Sequence, residues 1–257
     1  MLQELASDRD VTAASFRPAV LFLNGEYWGP YMLTEKVSSQ MLHDHYGVES
    51  DQVIVIKDSE VEVGEEEDLI LFEELMAFSD QDLTKSEVYD KFCSVVNTQS
   101  MADYYAICVY IGNVDWKLDK NFMLWRTRDK SYQDGRWQFF LYDIEYSSGL
   151  YSESITAPDY NHYKNTLKEF PLFASAVQNE EFYALFLRSL SEVGMKNYSY
   201  ENVKASIHVH DELWRPMMND FYKRFGDTSW SYDWEMKNTL KFFKQRYNYI
   251  VPLVQVH

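Results

Sequence analysis

The amino-acid sequence predicts an α+β fold whose C-terminal part is almost entirely helical. Two pairs of strand-like runs support this interpretation, one near the N-terminus and one in the middle of the 257-residue chain. After residue 169 the apolar residues recur at the spacing of amphipathic helices. Strand pairs and helices that alternate in separate blocks, without an internal repeat, are typical of the α+β class.

The first strand pair lies in the segment FLNGEYWGPYMLTEKV, residues 22–37, together with the apolar run before it. Asn24-Gly25 separates two alternating runs, and this dipeptide is the strongest short-range marker of a β-hairpin. Gly29-Pro30 at the start of the second run predicts a bulge or an edge strand.

The remaining elements follow in chain order from local patterns. A short helix is expected over residues 38–47, begun by Ser38 or Ser39, and the acidic stretch EVEVGEEEDL is expected to be a solvated face or a loop. The other predicted elements are a β-like run VIVIK, helices over 67–79 and 84–97, a helix capped at Ser100, and strands FMLWRT and WQFFLYDIE.

Composition and charge exclude some classes of function. The net charge of −17 argues against binding of nucleic acid or of an anionic membrane surface, because phosphates require clustered Lys and Arg. No apolar run reaches the ~18 residues of a membrane span. Aromatic residues make up 17% of the chain, which fits either core packing or a stacking surface for sugars or nucleotides. Cys93 and Cys108 have no metal-ligand spacing and are expected to be buried free thiols.

One segment, YIGNVDWKLDKNFMLW, sets polar residues inside an apolar run. Asp115 and Asn121 lie in it, while Asp143 and Glu145 follow the second strand of the central pair. If the two central strands pair with each other, the loop before the first strand lies close to the end of the second strand. Such side chains are either ordinary turn and cap residues or parts of one site.

Converging carboxylates and an amide suit Mg²⁺, which takes one or two carboxylates and completes its shell with water and phosphate oxygens. Protein kinases use this arrangement: an Asp accepts the proton of the acceptor hydroxyl, and an Asn and a second Asp hold the metal. The H-R-D and D-F-G motifs of ordinary eukaryotic kinases are absent.

With these elements the chain resembles the CotH kinase-like family, spore-coat and cell-surface proteins with an atypical protein-kinase fold. The matching elements are FLNGEYWGPYMLTEKV, GNVDW with its following Asn, RWQFFLYDIEYSSG, NEEFYALFLRSL and the final FFKQRYNYI. They cover nearly the whole chain in the order of the family. The first two are the more specific.

The resemblance implies protein Ser/Thr kinase activity with ATP and Mg²⁺ or Mn²⁺. By resemblance Asp115 is the catalytic residue, and Asn121, Asp143 and Glu145 are the metal ligands. Glu35, Lys36 and Val37 correspond to the hinge that offers its backbone to adenine. The Asp-to-Asn spacing is one residue longer than in the ordinary kinase loop.

The resemblance also implies one CotH-like domain with two parts. Residues 1–37 would be the remnant of an N-terminal lobe with its β-hairpin and hinge, and residues 38–257 a helical C-terminal lobe. No glycine-rich phosphate loop or strand-borne phosphate Lys is found in residues 1–20, so the N-terminal lobe is expected to be incomplete. The first residues have the pattern of a helix interior, so we expect a fragment of a larger protein. Lys57 is either a phosphate partner or a surface lysine.

Three functions remain open from the sequence. The first is an atypical kinase that acts on a Ser/Thr-containing protein of the spore coat or cell surface. The second is a non-catalytic relative that serves as a surface or structural binding module. The third is a carbohydrate-active protein with paired carboxylates, for which Asp115 and Asp143 are candidates. Arg246 is expected to pair with a carboxylate.

Overall fold

The computed structural model describes residues 1–226 and 230–255. Its strands are β1 (Thr12–Ala13), β2 (Phe16–Leu23), β3 (Glu26–Thr34), β4 (Val53–Lys57), β5 (Glu60–Val63), β6 (Met123–Thr127) and β7 (Gln138–Leu141). Its α-helices are α1 (Leu2–Leu5), α2 (Ser39–Tyr46), α3 (Leu69–Met76), α4 (Ser86–Val95), α5 (Thr98–Ile111), α6 (His162–Glu169), α7 (Pro171–Ala176), α8 (Glu180–Glu192), α9 (Tyr200–Phe225) and α10 (Trp230–Gln255). The predicted α+β class is confirmed.

The main sheet has five strands in the order β1-β7-β6-β4-β5. β1 pairs with β7 in parallel and the other neighbours are antiparallel, so the sheet is mixed. Met123 at the start of β6 lies opposite Lys57 at the end of β4 and opposite Phe140 near the end of β7. The loops that follow β4 and β7 and the loop that precedes β6 therefore leave the same end of the sheet.

The first part of the acidic stretch is a strand rather than a loop, and its glutamates form the solvated face that was the other expectation there. Residues Glu60–Val63 form β5, which pairs with β4. Glutamates and valines alternate in this segment, so one side chain of each pair faces solvent while the other lies against the sheet. The high number of acidic residues in this stretch made the alternation, which is typical of a strand, difficult to recognise in the sequence.

The predicted hairpin is confirmed as a separate two-stranded sheet of β2 and β3. Asn24 and Gly25 turn the chain with φ of 52° and 84°. The pairing shifts register as Leu21 faces Gly29 and Phe22 faces Tyr27, which is the irregularity expected beside Gly29-Pro30. Gly29 has a φ of 116°, and a Cβ on it would lie 2.9 Å from the ring of Phe221 in α9, so a larger residue would force this ring to shift.

The first residues of the chain pack on the main body rather than with the hairpin. Ala6 is buried in the large core, and β1 belongs to the main sheet. Arg9 forms ion pairs with Asp103 of α5 and Glu192 of α8. Within residues 1–37 the hairpin alone forms its own sheet. The division into two lobes at residue 37 stays a prediction.

Helix α5 runs through the large core and is buried on every side from Ser100 to Ile111. It begins at Asn97, whose side chain accepts a hydrogen bond from the backbone of Ser100, and not at Ser100 as expected. The hydroxyl of Ser100 instead accepts a hydrogen bond from the backbone of Phe139 in β7. The cap at Ser38 and the end at Gly47 of α2 agree with prediction.

The two cysteines are free, as expected, and differ in burial: Cys108 is buried and Cys93 is half-buried. Burial raises the pKa of both thiols, which keeps them protonated at neutral pH. No helix in the described residues is both long and apolar enough to cross a membrane.

Candidate functional site

Two loop segments meet at the end of the main sheet where β7 ends and β6 begins. The segment 113–116 follows α5, and the segment 143–148 follows β7. The backbone N–H of Val114 donates to the carbonyl of Tyr146 at 3.2 Å. This hydrogen bond joins the segment with the predicted catalytic residue Asp115 directly to the segment with the predicted metal ligands Asp143 and Glu145.

Asp115 lies in the first of these segments with its side chain 38% exposed. The next residue, Trp116, is only 4% exposed, and its ring centroid lies 4.2 Å from that of Phe170. The buried Asn113 accepts a hydrogen bond from the backbone of Asp115 at 3.3 Å. A carboxylate that solvent and a substrate can reach is thus held between two buried neighbours.

Lys120 is the cationic partner of Asp115 and was not found by sequence reasoning. Its ammonium forms an ion pair with the carboxylate of Asp115. The hydrogen bond with Asp115 raises the pKa of Lys120. Burial acts in the opposite direction, and the negative charges of Asp115 and Asp143 raise the pKa further. The negative charges of both carboxylates, Asp115 and Asp143, therefore act on Lys120. A lysine in a surface turn carries no sequence pattern that distinguishes it.

Asn121 turns back toward Asp115, and its side-chain nitrogen donates to the backbone carbonyl of Asp115 at 2.8 Å. Lys117 and Lys120 exchange two backbone hydrogen bonds, which closes a tight turn before Asn121. This turn lies between Asp115 and Asn121, in the stretch that is one residue longer than in the ordinary kinase loop. Since the nitrogen of Asn121 is engaged, the oxygen Oδ1 is the atom of its amide that is suited to a metal ion.

Asp143 and Glu145 are exposed and line a cavity of about 270 Å³. The hairpin supplies Phe16, Met32 and Thr34 to the same cavity. Asp143 has a φ of 44°, an uncommon value outside glycine that Asp and Asn tolerate best. The cavity therefore lies between the hairpin and the end of β7.

The predicted hinge residues connect β3 to α2 but do not line this cavity. The backbone N–H of Glu35 donates to the carbonyl of Ser15, and its carboxylate accepts from the N–H of Ser15, both at 2.9 Å. The other carboxylate oxygen lies 3.1 Å from the imidazole of His45. Lys36 is exposed and Val37 is half-buried. Glu35, which follows β3, is thus hydrogen-bonded to Ser15, which precedes β2, and the two ends of the hairpin are held together. Adenine binding by residues 35–37 stays a prediction.

The donor atoms at this end of the sheet suit a divalent cation by type. Asp143, Glu145 and Asn121 offer carboxylate and amide oxygens, which Mg²⁺ and Mn²⁺ accept. Among the described residues no group of three or more His, Cys, Asp or Glu side chains lies close enough to hold a metal ion. A Mg²⁺ at this place would therefore need water and phosphate oxygens for most of its shell, which is common for Mg²⁺.

Lys57 is half-buried at the same end of the sheet. Its ammonium lies 4.9 Å from the centre of the Tyr142 ring. Burial lowers the pKa of Lys57, but a hydrogen bond with Tyr142 and the nearby charges of Glu62 and Asp58 outweigh it, so the pKa is raised overall. Lys57 therefore remains a cation beside Tyr142. Its role toward phosphate stays a prediction.

Arg246 of α10 binds the end of α5, the helix that precedes the segment of Asp115. Its side chain is completely buried and donates to the carbonyl oxygens of Val109 at 2.6 Å and Tyr110 at 2.9 Å. It also donates to the carbonyl of Pro158 at 2.7 Å. The expectation of a carboxylate partner was wrong, because Arg246 binds the backbone carbonyls that the end of α5 leaves without helical partners.

The remaining carbonyls at the end of α5 are also satisfied. The oxygen of Cys108 accepts from the N–H groups of Gly112 and Asn113. The oxygen of Ile111 accepts from the N–H of Ser148 at 2.8 Å, so the segment after Asp143 helps to cap the helix. All four terminal carbonyls thus have partners, and two of those partners come from distant parts of the chain.

His162 lies between Arg246 and the end of α5. Its Nδ1 is 2.8 Å from Arg246 and its Nε2 is 2.8 Å from the carbonyl of Ile155. Burial, and then the charge of Arg246, lower the pKa of His162 to about 3. The neutral ring, assigned from this network, accepts from Arg246 at Nδ1 and donates to Ile155 from Nε2.

The fold and the site define an α+β protein with a mixed sheet and a group of oxygen donors at one end of it. The sequence model of the family described as CotH kinase protein matches residues 1–250 of the 257-residue chain. The chain belongs to the CotH kinase family, and the resemblance found in its motifs is confirmed. A search of curated proteins found no match.

Proposed function

We propose that this chain is an atypical protein kinase that transfers the γ-phosphate of ATP to Ser or Thr of a coat or cell-surface protein. The observation that carries the proposal is the hydrogen-bonded junction between segments 113–116 and 143–148. It holds a reachable aspartate and further oxygen donors at one end of the sheet, next to a cavity. Membership of the CotH kinase family supports the same conclusion.

In this proposal each side chain has a separate task. Asp115 orients the acceptor hydroxyl and accepts its proton. Asn121 through Oδ1 and Asp143 hold Mg²⁺ or Mn²⁺, with Glu145 as a further ligand. A divalent cation bound there would neutralise charge on the phosphates. Lys120, paired with Asp115, offers a cation to the phosphoryl group as it moves.

The cavity between the hairpin and Asp143 is the proposed place for the phosphates of ATP. Thr34 lines it, and Glu35, Lys36 and Val37 follow directly, which would bring adenine beside this linker. Because the N–H of Glu35 already has a partner, adenine would use the backbone of Lys36 or Val37.

Transfer of labelled γ-phosphate to a Ser-rich protein tests the proposal. We expect incorporation by the intact chain to fall at least about 100-fold in Asp143→Ala, as for loss of a group that stabilises transition-state charge. Asp119→Ala changes an exposed carboxylate of the neighbouring turn and is the matched control. Equal incorporation by the wild type and Asp143→Ala would contradict the assigned role.

A second candidate is a non-catalytic binding module. The observation that favours it is the apolar surface of the hairpin, where Phe22 is 59% exposed and Leu33 is 53% exposed. Such surfaces often bind partners. ATP with Mg²⁺ should raise the melting temperature of a kinase, because a ligand that binds the native state stabilises it. No increase at saturating concentrations would favour the module.

A further inference from the structure

The segment that follows Asp143 and Glu145 presents one tyrosine to solvent in an unusual backbone conformation. Tyr151 is 62% exposed. Its φ is 57°, and the φ of the next residue, Ser152, is 53°. A bulky side chain with a positive φ is an outlier, and such strain persists only where the surrounding structure imposes it, often at binding and active sites. Neither core packing nor a relaxed turn accounts for Tyr151.

Hydrogen bonds on both sides of Tyr151 impose this conformation. The N–H of Ser152 donates to the carbonyl of Gly149 at 3.0 Å. The hydroxyl of Thr156 donates to the carbonyl of Leu150 at 2.8 Å. Gly149 lies against α10, where a Cβ on it would meet the backbone of the helix at 3.4 Å. Tyr151 therefore stands on a segment that is fixed to the body of the protein.

Tyr146 connects Tyr151 to the proposed catalytic base. The centroids of the two tyrosine rings lie 5.9 Å apart in an edge-to-face arrangement. The phenol of Tyr146 donates to the carboxylate of Glu153 at 2.6 Å, and its backbone carbonyl accepts from Val114, the neighbour of Asp115. The hydrogen bond to Glu153 raises the pKa of Tyr146 to about 12, and the charge of Asp115 is a smaller cause that acts in the same direction. The two rings, here called the tyrosine platform, therefore lie close to the carboxylate of Asp115.

A polypeptide acceptor bound at Asp115 would pass the tyrosine platform. Its Ser or Thr hydroxyl has to lie about 2.6–3.2 Å from the carboxylate of the base. An extended chain advances about 3.3–3.6 Å per residue, so the residues one and two positions away lie within about 7 Å of the acceptor residue. The phosphates of ATP are proposed to occupy the cavity of Asp143, whose wall does not include Tyr146 or Tyr151. The platform is therefore available to the acceptor.

We infer that Tyr151, supported by Tyr146, binds the acceptor polypeptide and selects a large apolar side chain within two residues of the phosphorylated Ser or Thr. This inference rests on the proposed kinase function. Aromatic rings bind such side chains because the contact buries apolar surface. At ~25 cal/mol per Å², burial of about 55 Å² supplies a tenfold preference over a glycine at the same position.

Short glycine-based peptides with a single Ser test the inference. Leu is placed in turn at each of the two positions on either side of the Ser, and the peptide without Leu is the reference. The wild-type chain should transfer phosphate to one Leu peptide with a kcat/KM at least tenfold above that of the reference. Tyr151→Ala should abolish this preference by raising the KM of the acceptor, with the KM of ATP unchanged, whereas Tyr151→Phe should retain it.

Tyr249→Ala is the matched control, because Tyr249 is a tyrosine of α10 that is 45% exposed and lies outside the platform. This variant should keep the wild-type preference for Leu. Ala and Phe place the same demand on the backbone of residue 151, so the difference between Tyr151→Ala and Tyr151→Phe reports the ring alone. A preference that survives Tyr151→Ala, or a wild type that phosphorylates all the peptides equally, would overturn the inference.

Peptide binding without ATP separates this inference from the kinase proposal. In fluorescence anisotropy, one of the labelled Leu peptides should bind the wild type and Tyr151→Phe at least tenfold more tightly than Tyr151→Ala. If this difference is found but no phosphate is transferred, the kinase proposal fails and the binding role of Tyr151 stands. If phosphate is transferred but all three proteins bind every Leu peptide equally, the role of Tyr151 fails and the kinase proposal stands. Absence of binding to the wild type would also refute the role of Tyr151.

Discussion

Arg246 donates a hydrogen bond to the carbonyl of Tyr110, a residue 136 positions earlier in the chain. The carbonyls in the last turn of a helix have no helical N–H to accept from, so they need outside donors. Asp115 follows that turn by only a few residues. The last helix of the chain thus supports the segment that carries the proposed catalytic base.

Replacing Arg246 should destabilise the protein strongly. In Arg246→Met the oxygens of Val109 and Tyr110 lose a buried donor, and each buried carbonyl left unpaired costs about 1–3 kcal/mol. We expect the free energy of unfolding to fall by at least about 3 kcal/mol in urea titrations. Lys244→Met removes an exposed cation from the same helix and should change it by less than about 0.5 kcal/mol. Similar losses in both variants would show that the cap contributes little.

Gly112, at the end of α5, should be more sensitive to Ala than an ordinary helix-ending glycine. Its φ is 71°, and a Cβ would lie 2.9 Å from the buried ring of His162. Gly47 ends α2 with a φ of 68° and nothing within 4 Å, so Gly47→Ala measures the backbone cost alone, about 1–2 kcal/mol. We expect Gly112→Ala to lose at least about 1 kcal/mol more than Gly47→Ala in chemical denaturation. Equal losses would mean that His162 moves aside freely.

Acid should weaken the fold through His162. Its pKa is about 3 in the native state against the ordinary histidine value of 6.5, so below pH 6.5 the unfolded chain binds a proton that the native chain does not. Stability from this group is therefore complete above pH 6.5 and falls as the pH drops toward 3. At pH 5 the loss relative to pH 8 is about 2 kcal/mol. His162→Gln should remove this component of the pH dependence, measured by urea unfolding at several pH values.

The exposed His208 provides the comparison for that experiment. Its side chain is 74% exposed, so His208→Gln should keep the wild-type pH dependence. Carboxylates contribute to acid unfolding in all three proteins, and the difference between the two variants isolates His162. If both variants lose stability with acid as the wild type does, His162 is not the group responsible.

The elements that the sequence predicted well are those with local causes. Asn24-Gly25 fixes a turn, and Ser38 and Gly47 fix both ends of α2, through interactions within a few residues. Strands β6 and β7 follow from short apolar runs separated by turn residues. Their antiparallel pairing brought the two predicted loop segments to one end of the sheet.

The missed features depend on contacts between distant residues. Nothing near Arg246 in the sequence indicates that its partners are carbonyls of Val109 and Tyr110. Likewise, Asn97 rather than Ser100 begins α5, because the hydroxyl of Ser100 is engaged by β7. A sequence pattern identifies which residues can donate or accept, whereas the fold decides which of several partners they meet.

Asn121 allows a test of the metal role that is separate from the role of Asp143. Because its nitrogen donates to the carbonyl of Asp115, the oxygen Oδ1 is the atom proposed to contact Mg²⁺. Asn121→Ala should raise the Mg²⁺ concentration needed for half-maximal phosphoryl transfer by about tenfold, the size of effect expected when ~1.4 kcal/mol of metal binding is lost. Excess Mg²⁺ should restore most of the rate, since Asp115 and Asp143 remain. Asn248→Ala, an exposed change on α10, should leave the Mg²⁺ requirement as it is. An unchanged requirement in Asn121→Ala would limit Asn121 to its structural hydrogen bond with Asp115.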